Sequence, residues 1–304
     1  MSEALIELSD ALAQATQGAA AHVVAIHSGA RGSSSGIVWR TGIIVTAEHA
    51  FEHDDEIQVT LPGQRVVAAT LAGRDPGSDL AVLKCAEASS AVTAFGDATS
   101  LSPGHLALVV GRTRVSGAVA ALGVVSLAVA ERKHWAGLLL APYVRLDVRL
   151  QPTAVGGAVV DARGGIVGLA TPKFTRFGAV AVPAASVNRV ADVLLSHGHI
   201  PRGYLGVGLQ PVRLPAELLA SLARRGRTAP IVLDVATSSP AHNAGILIGD
   251  VLLSMDGVEI LHPGDVHSLL GPESPGKTIS VDLARGGKIQ RVQVAVARRP
   301  NGDN

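Results

Sequence analysis

The chain has 304 residues, 17% of them charged, and a formal net charge of +1; that length suits about two domains, and that balance recruits neither nucleic acid nor an anionic membrane. Hydrophobic residues make up 47% but aromatics only 3%, and one cysteine, Cys85, excludes an intrachain disulfide framework and a cysteine-only metal site. The apolar, uncharged stretch Val115 to Ala130 is shorter than the roughly 18 residues of a membrane span, and its glycines at 117 and 123 make it read as two strands and a turn.

The start, "MSEALIELSDALAQATQGAAA", has no positive segment ahead of an apolar core, so it does not read as a secretory signal. Leu5, Leu8 and Leu12 instead suit an amphipathic helix over residues 1–20. The compartment expected from this segment is cytoplasmic, or periplasmic if an upstream leader has been removed. From 21 to 200, short apolar runs alternate with Gly, Pro and Asp, among them "SGIVWRTGIIVTA", "DLAVLKC" and "GAVVDARGGIVGLATP". Many short strands at regular spacing predict an all-β barrel or sandwich, and "DARGG" (Asp161 to Gly165) predicts a hairpin turn. A helix follows, with Val187, Val190, Ala191 and Leu194 on one face and Gly198 and Pro201 past its end.

Residues 201–304 read as an α+β unit. It has a strand "YLGVGL", a helix "PAELLASLARR" and a strand "PIVLDVA". A short helix then opens with Ser239 as N-cap and Pro240 in its first turn, and Gly245 lies just past it. An Asp-Gly turn, a second short helix near Val266 to Leu270 and two closing strands complete it.

The residues able to carry chemistry come in a fixed order. "IIVTAEHAF" ends a strand with His49, "GSDLAVLK" places Asp79 at the head of another, and "QPTAVGGAVV" (151–160) puts two glycines ahead of an apolar run. Gly-Gly before a buried strand marks a close backbone approach. The order His, Asp, Gly-Gly turn is that of chymotrypsin-type serine proteases. With "GSSSGIV", "FGDATSL", Asp147 at its spacing from the turn, "FGAVAVP", "RGYLGV" and "SPAHNAGILIGDVLLSMDG", the sequence resembles the HtrA (DegP-like) family over nearly its whole length.

That resemblance implies a mainly β chain, a chymotrypsin-type double β-barrel over 21–200 followed by an α+β PDZ domain over 201–304. The family's turn reads Asn-Pro-Gly-Asn-Ser-Gly-Gly; here it reads Gln151-Pro152-Thr153-Ala154-Val155-Gly156-Gly157. His49 and Asp79 are then a retained dyad, and Val155 occupies the nucleophile position. Thr153, Ala154 and Gly156 belong to the oxyanion turn, where β-branched Thr153 resists positive φ and re-aims a donor. Thr153 does not point at His49, and Ser33, Ser34 and Ser35 are expected in a loop before the histidine strand.

The expected function is a pseudoprotease that binds exposed peptides or C-termini as adaptor, regulator or holdase; the alternative is an active endopeptidase with an atypical nucleophile. By resemblance, Tyr204, Leu205, Gly206 and Val207 form the peptide site of the PDZ domain, with Leu269 and Leu270 walling its pocket. A homo-trimer and an active HtrA paralogue are the expected protein partners, with no cofactor. His49-Ala50-Phe51-Glu52-His53 also matches the zinc-peptidase pattern H-x-x-E-H. It starts at a strand end and runs into the charged "EHDDE", so a solvated loop and no metal are expected. His197 and His199 read as surface residues.

Overall fold

A computed structural model describes residues 3–27, 33–50, 57–92, 94–129, 132–133, 139–140, 142–216, 219, 226–271 and 273–298. The chain divides into two compact units, Met1–Arg132 with Leu139–Ile200, and Lys133–Leu138 with Pro201–Asn304.

The first unit holds two closed six-stranded barrels. The first is made of β1 (Val23–His27), β2 (Ser33–Arg40), β3 (Ile43–Ala47), β4 (Ile57–Thr60), β5 (Val66–Asp75) and β6 (Leu80–Lys84), in the order β1-β2-β3-β6-β5-β4. Its interior is aliphatic: Val24, Ile26, Val38, Ile44, Val59 and Leu83 among others. Fully burying such a side chain contributes about 1.5–3 kcal/mol, so a chain poor in aromatics still closes its barrel. The serines 33 to 35 open β2 rather than forming a loop. Each pairs with β1 (Ser33 with His27, Ser34 with Ile26, Ser35 with Ala25), so the ladder extends past the apolar run that marks the strand in the sequence.

The second barrel is made of β7 (Leu106–Thr113), β8 (Gly117–Val129), β9 (Tyr143–Asp147), β10 (Ala158–Asp161), β11 (Ile166–Thr171) and β12 (Ala179–Pro183), in the order β9-β12-β11-β10-β7-β8. Val109, Val125, Leu146, Val159 and Val167 fill it. The stretch read as two strands and a turn is the single 13-residue strand β8. Gly123 is not a turn residue; a Cβ there would lie 2.6 Å from Asp147 O, so glycine is needed for the close approach of two backbones. The Asp161–Gly165 hairpin is present, with Gly164 N donating to Asp161 O at 3.0 Å.

Helix α1 (Glu3–Ala20) leaves Leu5, Ile6 and Leu8 exposed and buries only Ala19 and Ala20. Its C-terminal end is held by Arg112 of β7, which donates to Ala20 O at 2.6 Å and Val23 O at 2.5 Å. A cation at a helix C-terminus meets unpaired carbonyls and the negative end of the dipole; burial lowers the guanidinium's pKa. Helix α2 (Ala184–His197) buries Val187, Val190, Ala191 and Leu194 and stops at left-handed Gly198, whose N–H returns to Leu194 O. Trp39, fully buried, stacks on Phe95 and donates to Asn188 of α2 at 2.7 Å.

The second unit is built on β14 (Val207–Arg213), β15 (Thr228–Val235), β16 (Val251–Met255), β18 (Thr278–Arg285) and β19 (Lys288–Ala295), paired in that order. A short β17 (Val258–Glu259) joins β16, and β13 (Gly203–Tyr204) pairs with β20 (Ala297–Arg298). Ser239 caps α3 (Pro240–Asn243) by accepting from His242 N. Asp250, 1% exposed, accepts from Nε and Nη2 of Arg285 at 2.7 and 2.6 Å, the bidentate geometry that makes a buried carboxylate tolerable. The helix read in "PAELLASLARR" falls mostly outside the described residues.

Among the described residues, no helix is long and apolar enough to cross a membrane, and no group of three His, Cys, Asp or Glu side chains is placed to hold a metal ion. Phe51, Glu52 and His53 lie outside the described residues. His199 is exposed, and so is His197.

Candidate functional site

The end of β3 and the start of β6 are neighbours in the first barrel, Ala47 pairing with Leu80. That register brings the residues just beyond them together: His49 in a 3-10 turn (Glu48–Ala50) and Asp79 ahead of β6. Asp79 adopts φ +57°, a left-handed backbone uncommon outside glycine. Its carboxylate, fully buried, accepts from the backbone N–H of His49 at 3.0 Å and faces His49 Nδ1 with Oδ1 at 2.8 Å and Oδ2 at 2.9 Å. A carboxylate only accepts, so Nδ1 carries a proton and Nε2 is the nitrogen left to take one. The ring is 36% exposed. This is the orientation of a general base in a Ser-His-Asp site.

Two residues with no sequence signal complete the carboxylate's surroundings. The Thr171 hydroxyl, at the end of β11, donates to Asp79 Oδ2. Lys173 brings its ammonium to 3.7 Å from Asp79 Oδ1 and 3.6 Å from Glu48 Oε2. Both come from the second barrel, more than ninety residues along the chain, and only the closed fold reveals them.

The turn that would supply a nucleophile and an oxyanion site is folded onto itself. Pro152–Ala154 form a 3-10 turn in which Ala154 N donates to Gln151 O, Val155 N to Pro152 O and Gly157 N to Ala154 O. The Val155 amide therefore spends its hydrogen inside the turn, at 3.2 Å. Val155 is 8% exposed, and an isopropyl group has no proton to give His49. Ser35 pins the turn from the first barrel. Its hydroxyl donates to Thr153 O at 2.6 Å and accepts from Arg112 N at 2.8 Å, and its amide donates to Val155 O at 2.8 Å. Gly156, at φ +78°, lies so close to β2 that a Cβ would sit 2.3 Å from Ser35 O. The glycine is kept by packing, whatever stands before it.

In the second unit, a groove lies between β14 and α4 (Pro263–Leu269). Among the described strands, β14 is the edge of its sheet, paired with β15. The groove encloses about 140 Å³ and takes its lining from Tyr204, Leu205, Gly206 and Val207 on one side and Val266 and Leu270 on the other. Among the described residues, the N–H groups of Leu205 and Gly206 have no hydrogen-bond partner, while their carbonyls are used by Ala241 N and Ala236 N. Gly206 needs φ +79°, and a Cβ there would lie 2.2 Å from Ser239 Cβ.

Four of the six residues expected at this site stand together at its head, and Leu270 walls it. Leu269 does not line it; it packs against the core of the unit. Its place is taken by Val266, four residues before Leu270 and so on the same helix face. Arg202, Leu209 and His267 also line the groove. The i, i+4 relation of Val266 and Leu270 is the signal that identifies the wall.

Comparison with known proteins bears on both units. A trypsin-like peptidase domain matches residues 34–169, and a PDZ domain matches residues 203–296. The chain is similar to probable periplasmic serine endoproteases, DegP-like, of Pseudomonas fulva (strain 12-X), 31% identical over 272 residues, and of Marinomonas sp. (strain MWYL1), 30% identical over 270 residues. These matches cover 88% and 87% of this chain but 56% of each relative, so it spans about half the length of the curated relatives it matches.

Among solved structures, it is similar to an HtrA-type protease, AlgW, with a decapeptide, at 25% identity and a TM-score of 0.74, covering 95% of this chain and 99% of that one. The same protease with a tripeptide gives 27% identity and a TM-score of 0.73, covering 95% and 98%. The cytoplasmic expectation is overturned by the curated relatives, whose names are periplasmic. That expectation rests on residues 1–20, which largely form α1 and carry no information about compartment.

Proposed function

The chain belongs to the HtrA family, a trypsin-like peptidase domain followed by a PDZ domain, and from that premise we propose that it is a periplasmic pseudoprotease that holds peptides without cutting them. One observation carries the reading. The residue at the nucleophile position is Val155, and the amide that would polarise a scissile carbonyl is bonded back to Pro152 O. Removing a triad nucleophile costs on the order of 10⁶ in turnover, and losing an oxyanion donor a further 10²–10³ or so.

Peptide capture falls to the groove of the PDZ domain. Two amides without a partner among the described residues meet a terminal carboxylate, the open edge of β14 pairs with the peptide backbone, and Val266 and Leu270 receive an apolar last side chain. The solved relatives with a decapeptide and a tripeptide support peptides as the ligand class. Exposed Leu5, Ile6 and Leu8 of α1, with Leu122 and Val124 of β8, support a homo-oligomer, which the resemblance makes a trimer. An active HtrA paralogue is the proposed protein partner of this adaptor.

The intact His49–Asp79 pair favours a second reading, an endopeptidase drawing on another hydroxyl. Casein cleavage separates the two. The unmodified protein should leave casein at background, and robust cleavage abolished by His49→Ala would establish the enzyme instead.

A further inference from the structure

Lys173 follows the end of β11 by two residues, and its side chain crosses to the first barrel. Its ammonium donates to Pro76 O at 2.7 Å, three residues ahead of Asp79, and approaches Glu48 Oε2, next to His49. One cation of the second barrel thus touches both segments that carry the dyad. The carboxylate oxygen it approaches, Asp79 Oδ1, is the one that takes the His49 backbone N–H and faces His49 Nδ1 at 2.8 Å.

Sharing that oxygen has an electronic consequence. A carboxylate hydrogen-bonded to Nδ1–H enriches the imidazole, and it does so through its negative charge. An ammonium beside the same oxygen offsets that charge. Glu48 in turn offsets the ammonium. Asp79 is fully buried and the Glu48 side chain only 13% exposed, so water screens these charges weakly. The Lys173 side chain is a third exposed, which keeps the effect moderate.

We propose that Glu48 and Lys173 are positioning residues with opposite signs, which together set how much of the Asp79 charge reaches His49 and hence the nucleophilicity of its Nε2. The inference rests on the retained dyad of the pseudoprotease reading but not on the loss of turnover, so the two fail separately. Casein cleavage by the unmodified protein overturns the latter alone.

The test is the rate of diethyl pyrocarbonate acylation of His49 in the full chain. It is mapped by peptide mass spectrometry above the ordinary histidine titration range, with exposed His199 as internal reference. Lys173→Met should raise the His49 rate by roughly threefold, the scale of a partly screened ion pair, and Glu48→Gln should lower it by a similar factor. In the Lys173→Met background, Glu48→Gln should still lower the rate, because the Glu48 charge next to His49 adds to that of the ammonium rather than acting through it. Lys173→Arg should keep the parental rate.

A purely structural role would loosen the site and raise the rate in both single variants. Changes of the same sign in both, or a Glu48→Gln effect that reverses sign without Lys173, overturn the proposal. Should Lys173→Met fail to fold, Glu48→Gln alone decides: a lowered rate supports the assignment, and an unchanged or raised rate contradicts it.

Discussion

The turn at Gln151–Gly157 and the loop at Leu205–Gly206, between β13 and β14, are both glycine-dependent segments, and they use their backbone donors in opposite ways. In the turn, the amides of Ala154, Val155 and Gly157 all close on carbonyls of the same segment, and Ser35 fastens the result to the neighbouring barrel. In the loop, carbonyls are satisfied by the rest of the unit while the amides of Leu205 and Gly206 have no partner among the described residues. A buried amide must find an acceptor. One turned inward serves the fold; one facing a groove is available to a ligand. Under the proposed function, that difference separates a turn that no longer cuts from a loop that still reads peptides.

The largest expected effect comes from reopening the closed segment. Val155→Ser alone should leave casein turnover at background, because Thr153 and Ala154 still favour the 3-10 turn that consumes the amide. Adding Thr153→Gly and Ala154→Asn should raise turnover by about 10²-fold or more over the single variant, the scale of a restored oxyanion donor. Equal activity in single and triple variants, measured as peptide release, would mean that turn closure is not a separate obstacle.

A smaller effect is expected from the open segment. If the free amides take a carboxylate, amidating the C-terminus of a bound peptide ending in Val, Leu, Ile or Phe should weaken it by about tenfold, or roughly 1.4 kcal/mol. Calorimetry with the paired peptides measures it. Altering the ligand is cleaner than altering Gly206, whose φ of +79° neither alanine nor proline adopts without strain.

Much of this contrast was legible in the sequence. The chain order of His49, Asp79 and Gly156-Gly157 reports the dyad and the turn because those roles need specific residue types. Val187 to Leu194 with Gly198 reports α2 because periodicity and capping are local. What was not legible depends on distant chain. Gly123 looks like a turn until Asp147 is seen to approach it, and Ser33 to Ser35 look like loop until β1 is paired with them. Thr171 and Lys173 carry no motif, since a long side chain reaching Pro76 is a property of barrel closure. Val266 was within reach of helical spacing, and only the choice of face separated it from Leu269.

The smallest expected effect is on stability and lies away from both segments. In the second unit, the hydrogen bond from Arg291, with a further one from Ser254, holds the Asp282 carboxyl below its ordinary range. A folded value below the unfolded one means stabilisation that is present above the unfolded value and lost as pH falls through the folded one. The Arg291 side chain is 68% exposed, so screening limits the effect to a few tenths of a kcal/mol or so. Urea midpoints of the full chain should fall with acidification slightly more steeply in the parent than in Asp282→Asn. Identical slopes would show that the pair contributes nothing.

Binding and cutting are compared most directly in a single sample. The full-length protein is titrated into a fluorescent decapeptide with a free C-terminal leucine, anisotropy is followed to saturation, and the same sample is read by mass spectrometry after prolonged incubation. Expected is saturable binding on the order of micromolar with the peptide recovered intact. Hydrolysis that disappears in His49→Ala, or the absence of any binding below a millimolar, would contradict a protein that has kept the reading of peptides and lost their cleavage.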